Sequence, residues 1–381
     1  MRNMDHESAR ICRLRLSRRA DVFGPLSRKR QKGDCVSPDN PFLTLIGRSI
    51  VILVFSLCAS ARAQTEADAR LDAGVDAGLA YLAQQQAADG SFEGGGPRAA
   101  VTGLTLMAFL ASGHTPDNGR YGLVVRRAID FLVKSTPDDG YFGHVDGSRM
   151  YGHGIVTLAL SEACGVEPNA DRRVQIRTVL AKAVKVILTA QEVNKPPEQS
   201  GGWRYEPQSG DSDLSLSGWN ALALRAAQGI GMDVPKEKIA RAVQFVLNCY
   251  HPTEKGFAYQ PHGSPSVAMT GVGVLNLFLL DSADRPEAVA GERWLLDHLV
   301  KDDTPMPYYS MYYSTQAAFQ AGEPVWPIIW KVTHDRLLGT QMSDGGWPQS
   351  RNGEEPGRIY ATSMAVLTLS VPYRLLPIYQ R

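Results

Sequence analysis

The sequence predicts an all-α fold, a closed (α/α)6 toroid or double-layered helical barrel of six helical hairpins, and three observations carry the prediction. A glycine-aromatic turn recurs at Gly90, Gly140, Gly202, Gly256 and Gly346, at intervals of 50, 62, 54 and 90 residues, the last being two periods. Each turn is preceded by an amphipathic stretch and followed by one that is apolar on nearly every side. A period of about 50 residues holding one amphipathic and one apolar helix marks a helical repeat. Such a unit cannot bury its own apolar helix and must stack on neighbours, as an open superhelix or a closed ring. Closure is expected, because an open array of helices this apolar leaves one inner face in water.

In the first unit LDAGVDAGLAYLAQQQ forms the outer helix, ADGSFEGGG the turn and VTGLTLMAFLASG the inner helix. The second sets Arg126, Arg127, Asp130 and Lys134 against Ile129, Phe131 and Leu132, a charged face opposite an apolar one. Its turn is Asp139 to Phe142 and its inner helix lies in YGHGIVTLALSEACG. The third has an outer helix over 172–191, a turn at Gly202-Trp203 and an inner helix from Asp213 to Gly229. The fourth has an outer helix over 236–250, a turn at Gly256 and an inner helix in VAMTGVGVLNLFLL. The fifth, GERWLLDHLV and YYSMYYSTQAAFQAG, has Pro305 and Pro307 in place of the turn signal. The sixth runs WPIIWKVTHDRLLGTQ, DGGWP and YATSMAVLTLSV.

An apolar content of 44% over 381 residues supports a substantial core. A formal net charge of +1 offers no clustered positive charge for nucleic acid. Residues 1–63 read as a leader and signal peptide. Basic residues end at Arg48, an apolar run spans Ser49 to Cys58, and Ala61-Arg62-Ala63 has signal-peptidase spacing. The run falls short of the roughly 20 residues a membrane span needs. The expected product is an exported single domain over 64–381, periplasmic or extracellular. An uncleaved membrane anchor, or lipid on Cys58, is the alternative. Of the five cysteines only Cys164 and Cys249 lie outside the leader, and they either bridge or sit as small apolar residues.

The turns belong to a longer pattern. Gln86, Gly90 and Phe92, and again Gln341, Gly345 and Trp347, fit Q-x-x-x-G-x-aromatic, and Thr136 takes the glutamine position before Gly140. This resembles the QW repeat of squalene and oxidosqualene cyclases and of protein prenyltransferase β subunits, over essentially the whole of 64–381. The resemblance implies that the glutamine bridges backbone groups at a helix end while the aromatic ring packs under the next hairpin. It also implies a long isoprenoid or other apolar small molecule or lipid in a central funnel, with terpenoid cyclase-like proton transfer as the accompanying chemistry.

Laid on GDSDLSLSGW, the cyclase motif D-x-D-D matches Asp211 and Asp213, with Leu214 in place of the last acid. The prenyltransferase zinc motif D-x-C meets Asp213 where its cysteine would be, and Ala361 stands where its histidine would be. Zinc needs about three good protein ligands, so neither a metal nor another cofactor is expected. Alkene protonation requires a neutral carboxyl, whereas an ordinary aspartate with pKa about 3.9 is ionised at neutral pH. A helix N-terminus further favours the anion, and helix capping is the competing role for this pair.

Parallel inner helices would gather their N-termini at one mouth. Asp211, Asp213 and His153 are the catalytic candidates there, with His153 pairing with Asp213 as a base. Arg98, Tyr151, Trp219, Tyr309, Tyr312 and Tyr360 are the candidates for binding substrate or steadying a cation. Two other readings use the same residues. A polysaccharide lyase or glycosidase would take Tyr309 or His153 as base and Arg98 to neutralise a uronate, on fold analogy. A non-catalytic scaffold would present the ring to a protein.

Overall fold

The computed structural model describes residues 68–299, 307–350 and 356–380, all within the unit Gln64–Arg381. The leader, the cleavage site, Cys58 and Pro305 lie outside the described residues. Among the described residues twelve long helices alternate between two layers. The outer ones are α1 (68–84), α3 (Gly122–Lys134), α5 (Ala170–Gln191), α7 (Lys236–Asn248), α9 (Pro286–Leu299) and α11 (Val325–Thr340). The inner ones are α2 (Arg98–Ala111), α4 (Arg149–Val166), α6 (Leu214–Gly229), α8 (Val267–Leu279), α10 (Pro307–Ala321) and α12 (Gly357–Leu369). Each inner helix packs on the inner helix before and after it, and α12 packs on α2, so the ring closes. The predicted toroid of six hairpins is therefore the observed fold, and no described residue lies in a strand.

The two layers follow from composition. On α3 only Gly122, Val125, Ala128, Ile129 and Leu132 are buried, one stripe of an amphipathic helix. On α6 every residue from Leu214 to Leu224 is buried, as expected of a helix enclosed by neighbours on all sides. Local chemistry sets where the inner helices begin. Asp213 and Ser266 cap α6 and α8 by accepting the Leu216 and Met269 N–H groups. Asp146, on a short helix (Gly143–Asp146), reaches across to accept the first N–H groups of α2 from Ala99 and Ala100.

The glutamine-glycine pattern acts as a seam between consecutive hairpins. Gln86 Nε2 donates to the carbonyls of Gly90 and Val124, the latter on α3, at 3.0 and 2.9 Å. Gln341 Nε2 donates to Gly345 O and to Gly74 O on α1, both at 2.8 Å, and so ties the last hairpin to the first. Gln191 makes the same pair of bonds to Gly201 and Lys238, although ten residues rather than four separate it from its glycine. Thr136 is too short to bridge, and its hydroxyl bonds Leu132 O of the preceding helix α3. Positive φ falls on Gly90 and Gly140 as expected, but in the other turns on Gly201, Lys255 and Gly345, each one position before the expected Gly202, Gly256 and Gly346. Replacing Gln341 by Ala leaves two carbonyls without their donor at the closing seam. Unfolding free energy should fall by about 2 kcal/mol, which urea titration would measure; a loss below about 0.5 kcal/mol would show that the seam contributes little.

Candidate functional site

The residues proposed for chemistry separate into three groups. The first is structural and is revealed by a second repeated contact. The backbone N–H of each turn aromatic is accepted by a side chain on the following inner helix: Phe92 by Thr102, Trp203 by Ser217, Phe257 by Thr270 and Trp347 by Thr362, at 2.8 to 3.0 Å. In the second unit that acceptor is His153 Nδ1, which takes the Phe142 N–H at 3.3 Å. Its Nε2 faces Ala183 O of α5 at 3.0 Å. Both ring nitrogens therefore serve backbone groups, with the proton on Nε2, and the ring is fully buried between α4 and α5. Burial pushes its pKa down to about 4, so the ring is neutral at physiological pH. The pairing of His153 with Asp213 as a base is thus replaced by a stitching role.

The second group centres on Arg204. Asp213 is fully buried; its Oδ1 accepts the Leu216 N–H at 2.9 Å and its Oδ2 lies 3.0 Å from Arg204 Nη1. Burial raises its pKa to about 6, with the Leu216 N–H, Tyr259 and Arg204 pulling the other way. Each oxygen has a partner, so Asp213 caps α6 and anchors Arg204. Asp211, whose side chain is 48% exposed, accepts from Gln260 Nε2 and lies 3.4 Å from the same guanidinium. The Arg204 guanidinium lies over the rings of Tyr205 and Tyr259, whose hydroxyls meet at 3.0 Å, and both tyrosines are exposed. Arg149 also sits over Tyr205 and pairs with Glu206 at 3.2 Å. Arg98 is engaged by Asp89 and Glu93 and lies over Phe131; Arg358 likewise pairs with Asp344 and lies over Tyr81.

The third group gathers where the inner helices start. Ser215 Oγ lies 3.0 Å from the Tyr309 hydroxyl and 3.4 Å from that of Tyr151, bringing α4, α6 and α10 together. Tyr360 of α12 is close enough to influence Tyr309. Tyr151 is partly exposed, whereas Ser215, Tyr309 and Tyr360 are buried. Below them the aromatic residues pack on one another. Trp219 stacks on Tyr312 at 6.1 Å between centroids and meets Tyr313 edge-on at 5.4 Å, while Tyr309 and Tyr313 lie 4.7 Å apart. Trp219, Tyr309, Tyr312 and Tyr313 are all buried, so these rings pack against one another.

Outside the mouth, between α5 and the second turn, lies a cleft of about 590 Å³ whose lining includes Asp139, Tyr141, His144, Lys182, Lys185 and Glu206. Its size falls within the range of small-molecule sites. Sequence reasoning missed this rim. Tyr205 and Tyr259 each follow a turn aromatic by two residues, and that shared position was the available signal. Among the described residues no three His, Cys, Asp or Glu side chains converge as a metal site. Cys164 and Cys249 are free and buried.

No protein-family model matches the chain, and no curated protein matches its sequence. Solved structures do share the fold. An inactive variant of the α-1,6-mannanase GH76A of Salegentibacter sp., in complex with α-1,6-mannotriose, superposes with a TM-score of 0.61 at 9% identity, covering 79% of this chain and 98% of that one. A D-mannose isomerase gives 0.55 at 14% identity, covering 80% and 96%. A type II terpene cyclase from Scytonema gives 0.38 at 15% identity, covering 82% and 99%. At these identities the first two likenesses establish the class as an α/α toroid and nothing finer.

Proposed function

We propose that this exported toroid binds a saccharide at the mouth formed by the inner-helix N-termini, as an enzyme of the glycosidase or lyase type or as a lectin-like module. The observation that carries the reading is the make-up of that mouth. Arginine-carboxylate pairs, the exposed edges of Tyr205 and Tyr259 and the linked hydroxyls of Tyr151, Ser215 and Tyr309 suit a ligand that is polar at its edge and apolar on its ring face. An apolar chain would instead have to displace buried, mutually packed aromatic rings. Two of the fold neighbours act on mannose or mannans, which adds weight through analogy alone. In this reading Asp211 is the half-exposed carboxylate that meets the sugar, Arg98 and Tyr151 contribute further polar contacts, and Asp213 fixes Arg204.

The isoprenoid reading rests on the resemblance of the turns to the QW repeat and of Asp211-x-Asp213 to a cyclase motif, and one experiment separates the two. Calorimetric titration with α-linked manno-oligosaccharides and oligouronates would run beside extraction and analysis of any lipid that co-purifies. We expect saccharide binding that weakens about tenfold in Tyr259→Ala, the loss of roughly 1.4 kcal/mol of ring stacking. Recovery of a bound polyprenyl lipid with no saccharide binding would overturn the saccharide reading and favour the other.

A further inference from the structure

The cleft beside Tyr141 sets Asp138, Asp139 and Glu206 against Lys182, Lys185 and His144, so its charge selects no class of ligand. A second cleft, of about 510 Å³, is one-sided. It lies on the outer wall at the end of the ring opposite the mouth, where α6 finishes and α7 starts. Arg225 lines it from the last turns of α6, Lys236 from the first turn of α7 and Arg285 from the connection between α8 and α9. Ile239 and Val243, on one stripe of α7, and Leu280 give it an apolar side.

Among the described residues three cations thus share the cleft with one carboxylate, Asp281, and that carboxylate neutralises little. Its Oδ2 lies 3.5 Å from Arg225 Nη2 and its side chain is 82% exposed, a pair too long and too wet to contribute much. Lys236 and Arg285 are exposed and have no ion-pair partner among the described residues. The Arg225 guanidinium is held in place: Nε donates to Leu279 O and Nη1 to Gln228 Oε1, both at 3.0 Å. A guanidinium carries five N–H donors, and these contacts with Asp281 take three of them, so two are left over. An arginine fixed in this way is pre-organised for an oxyanion.

The positions of the other two cations do not serve the helices they sit on. Lys236 is the first residue of α7, and Arg285 directly precedes Pro286, the first of α9. A helix N-terminus carries about half a positive charge and is stabilised by an acid. Each helix has one in its first turn, Glu237 and Glu287, and neither lines the cleft. On the cleft side the cations therefore add to the helix ends instead of offsetting them.

We propose that this cleft binds a small organic anion, a phosphate monoester or a carboxylate whose body has an apolar face. The acid group meets the spare N–H groups of Arg225, with Lys236 and Arg285 at the rim, and the body lies on Ile239, Val243 and Leu280. The volume exceeds what an inorganic ion needs and falls within the range of small-molecule sites. The space is open as the protein stands, so no packed side chain has to be displaced.

Calorimetric titration of the whole chain with phenyl phosphate tests this, beside benzoate, inorganic phosphate and the neutral benzyl alcohol. Phenyl phosphate and benzoate should bind one to one, the tighter of the two marking the acid group preferred, and both should weaken as NaCl is added. Benzyl alcohol should not bind. Loss of a charge-assisted hydrogen bond should make Arg225→Gln bind phenyl phosphate at least about tenfold more weakly. Should that variant not fold, the exposed double substitution Lys236→Ala with Arg285→Ala should show a loss of similar size. Inorganic phosphate binding as tightly as phenyl phosphate would reveal a patch for any anion and overturn the proposal. Unchanged binding in the double variant, or no saturable binding of either organic acid, would overturn it equally. The cleft and the saccharide mouth lie at opposite ends of the ring, so Tyr259→Ala leaves this binding intact and the two proposals fail separately.

Discussion

Replacing Gly201 by Ala should lower the free energy of unfolding by about 4 kcal/mol, a large fraction of the roughly 5–15 kcal/mol that keeps a domain folded. Gly201 has φ +93°, a region that costs a side-chain-bearing residue about 1–2 kcal/mol. A Cβ there would also stand 2.2 Å from the Arg241 carbonyl oxygen, so α7 must retreat. That retreat stretches both Gln191 bonds, each worth about 1 kcal/mol. Equilibrium urea unfolding measures the sum. A loss under about 1 kcal/mol would show that the hairpins slide past one another more freely than the seam geometry implies.

The second large effect is a pH window. The His153 pKa falls from its ordinary 6.5 to about 4 in the folded protein, so the unfolded chain takes a proton that the folded one refuses. The stabilisation is complete above about pH 6.5 and is lost as pH falls toward 4. A shift of this size on a fully buried ring corresponds to about 3 kcal/mol. His153→Thr installs the residue type that fills the same place in three of the other four units, and it should fold without that window. Asp213 and Glu162 also titrate but are common to both proteins, so the difference between their urea midpoints from about pH 7.5 to 4.5 isolates His153. Identical slopes would mean that the ring accepts a proton without leaving Phe142 and Ala183.

The ring that the Gly201 seam helps to close was legible in the sequence. The alternation of a striped helix with an all-apolar one, repeated six times, contains the ring, because burial demands are local and additive. The turn glycine was displaced by one residue in Gly201-Gly202 and Gly345-Gly346, since either of two adjacent glycines satisfies the pattern and only φ distinguishes them. The role of His153 was hidden for a different reason. The distance from turn aromatic to acceptor runs 10, 11, 14, 13 and 15 residues through the five units, so no fixed spacing announces it. Asp213 was legible as a cap because capping is a property of the residue type before a helix. Its bond to Arg204 was not legible, since it depends on how the turn folds back.

The bond from Gln341 to Gly74 removes the free ends that an open array would have. In linear arrays stability is close to a sum of neighbour terms, and terminal units fray on their own. Here damage to any one unit is shared around the circuit, so melting should be concerted. During synthesis the last pair of helices must emerge before the circuit can seal, which leaves the greasy flank of α2 waiting for α12 through most of translation.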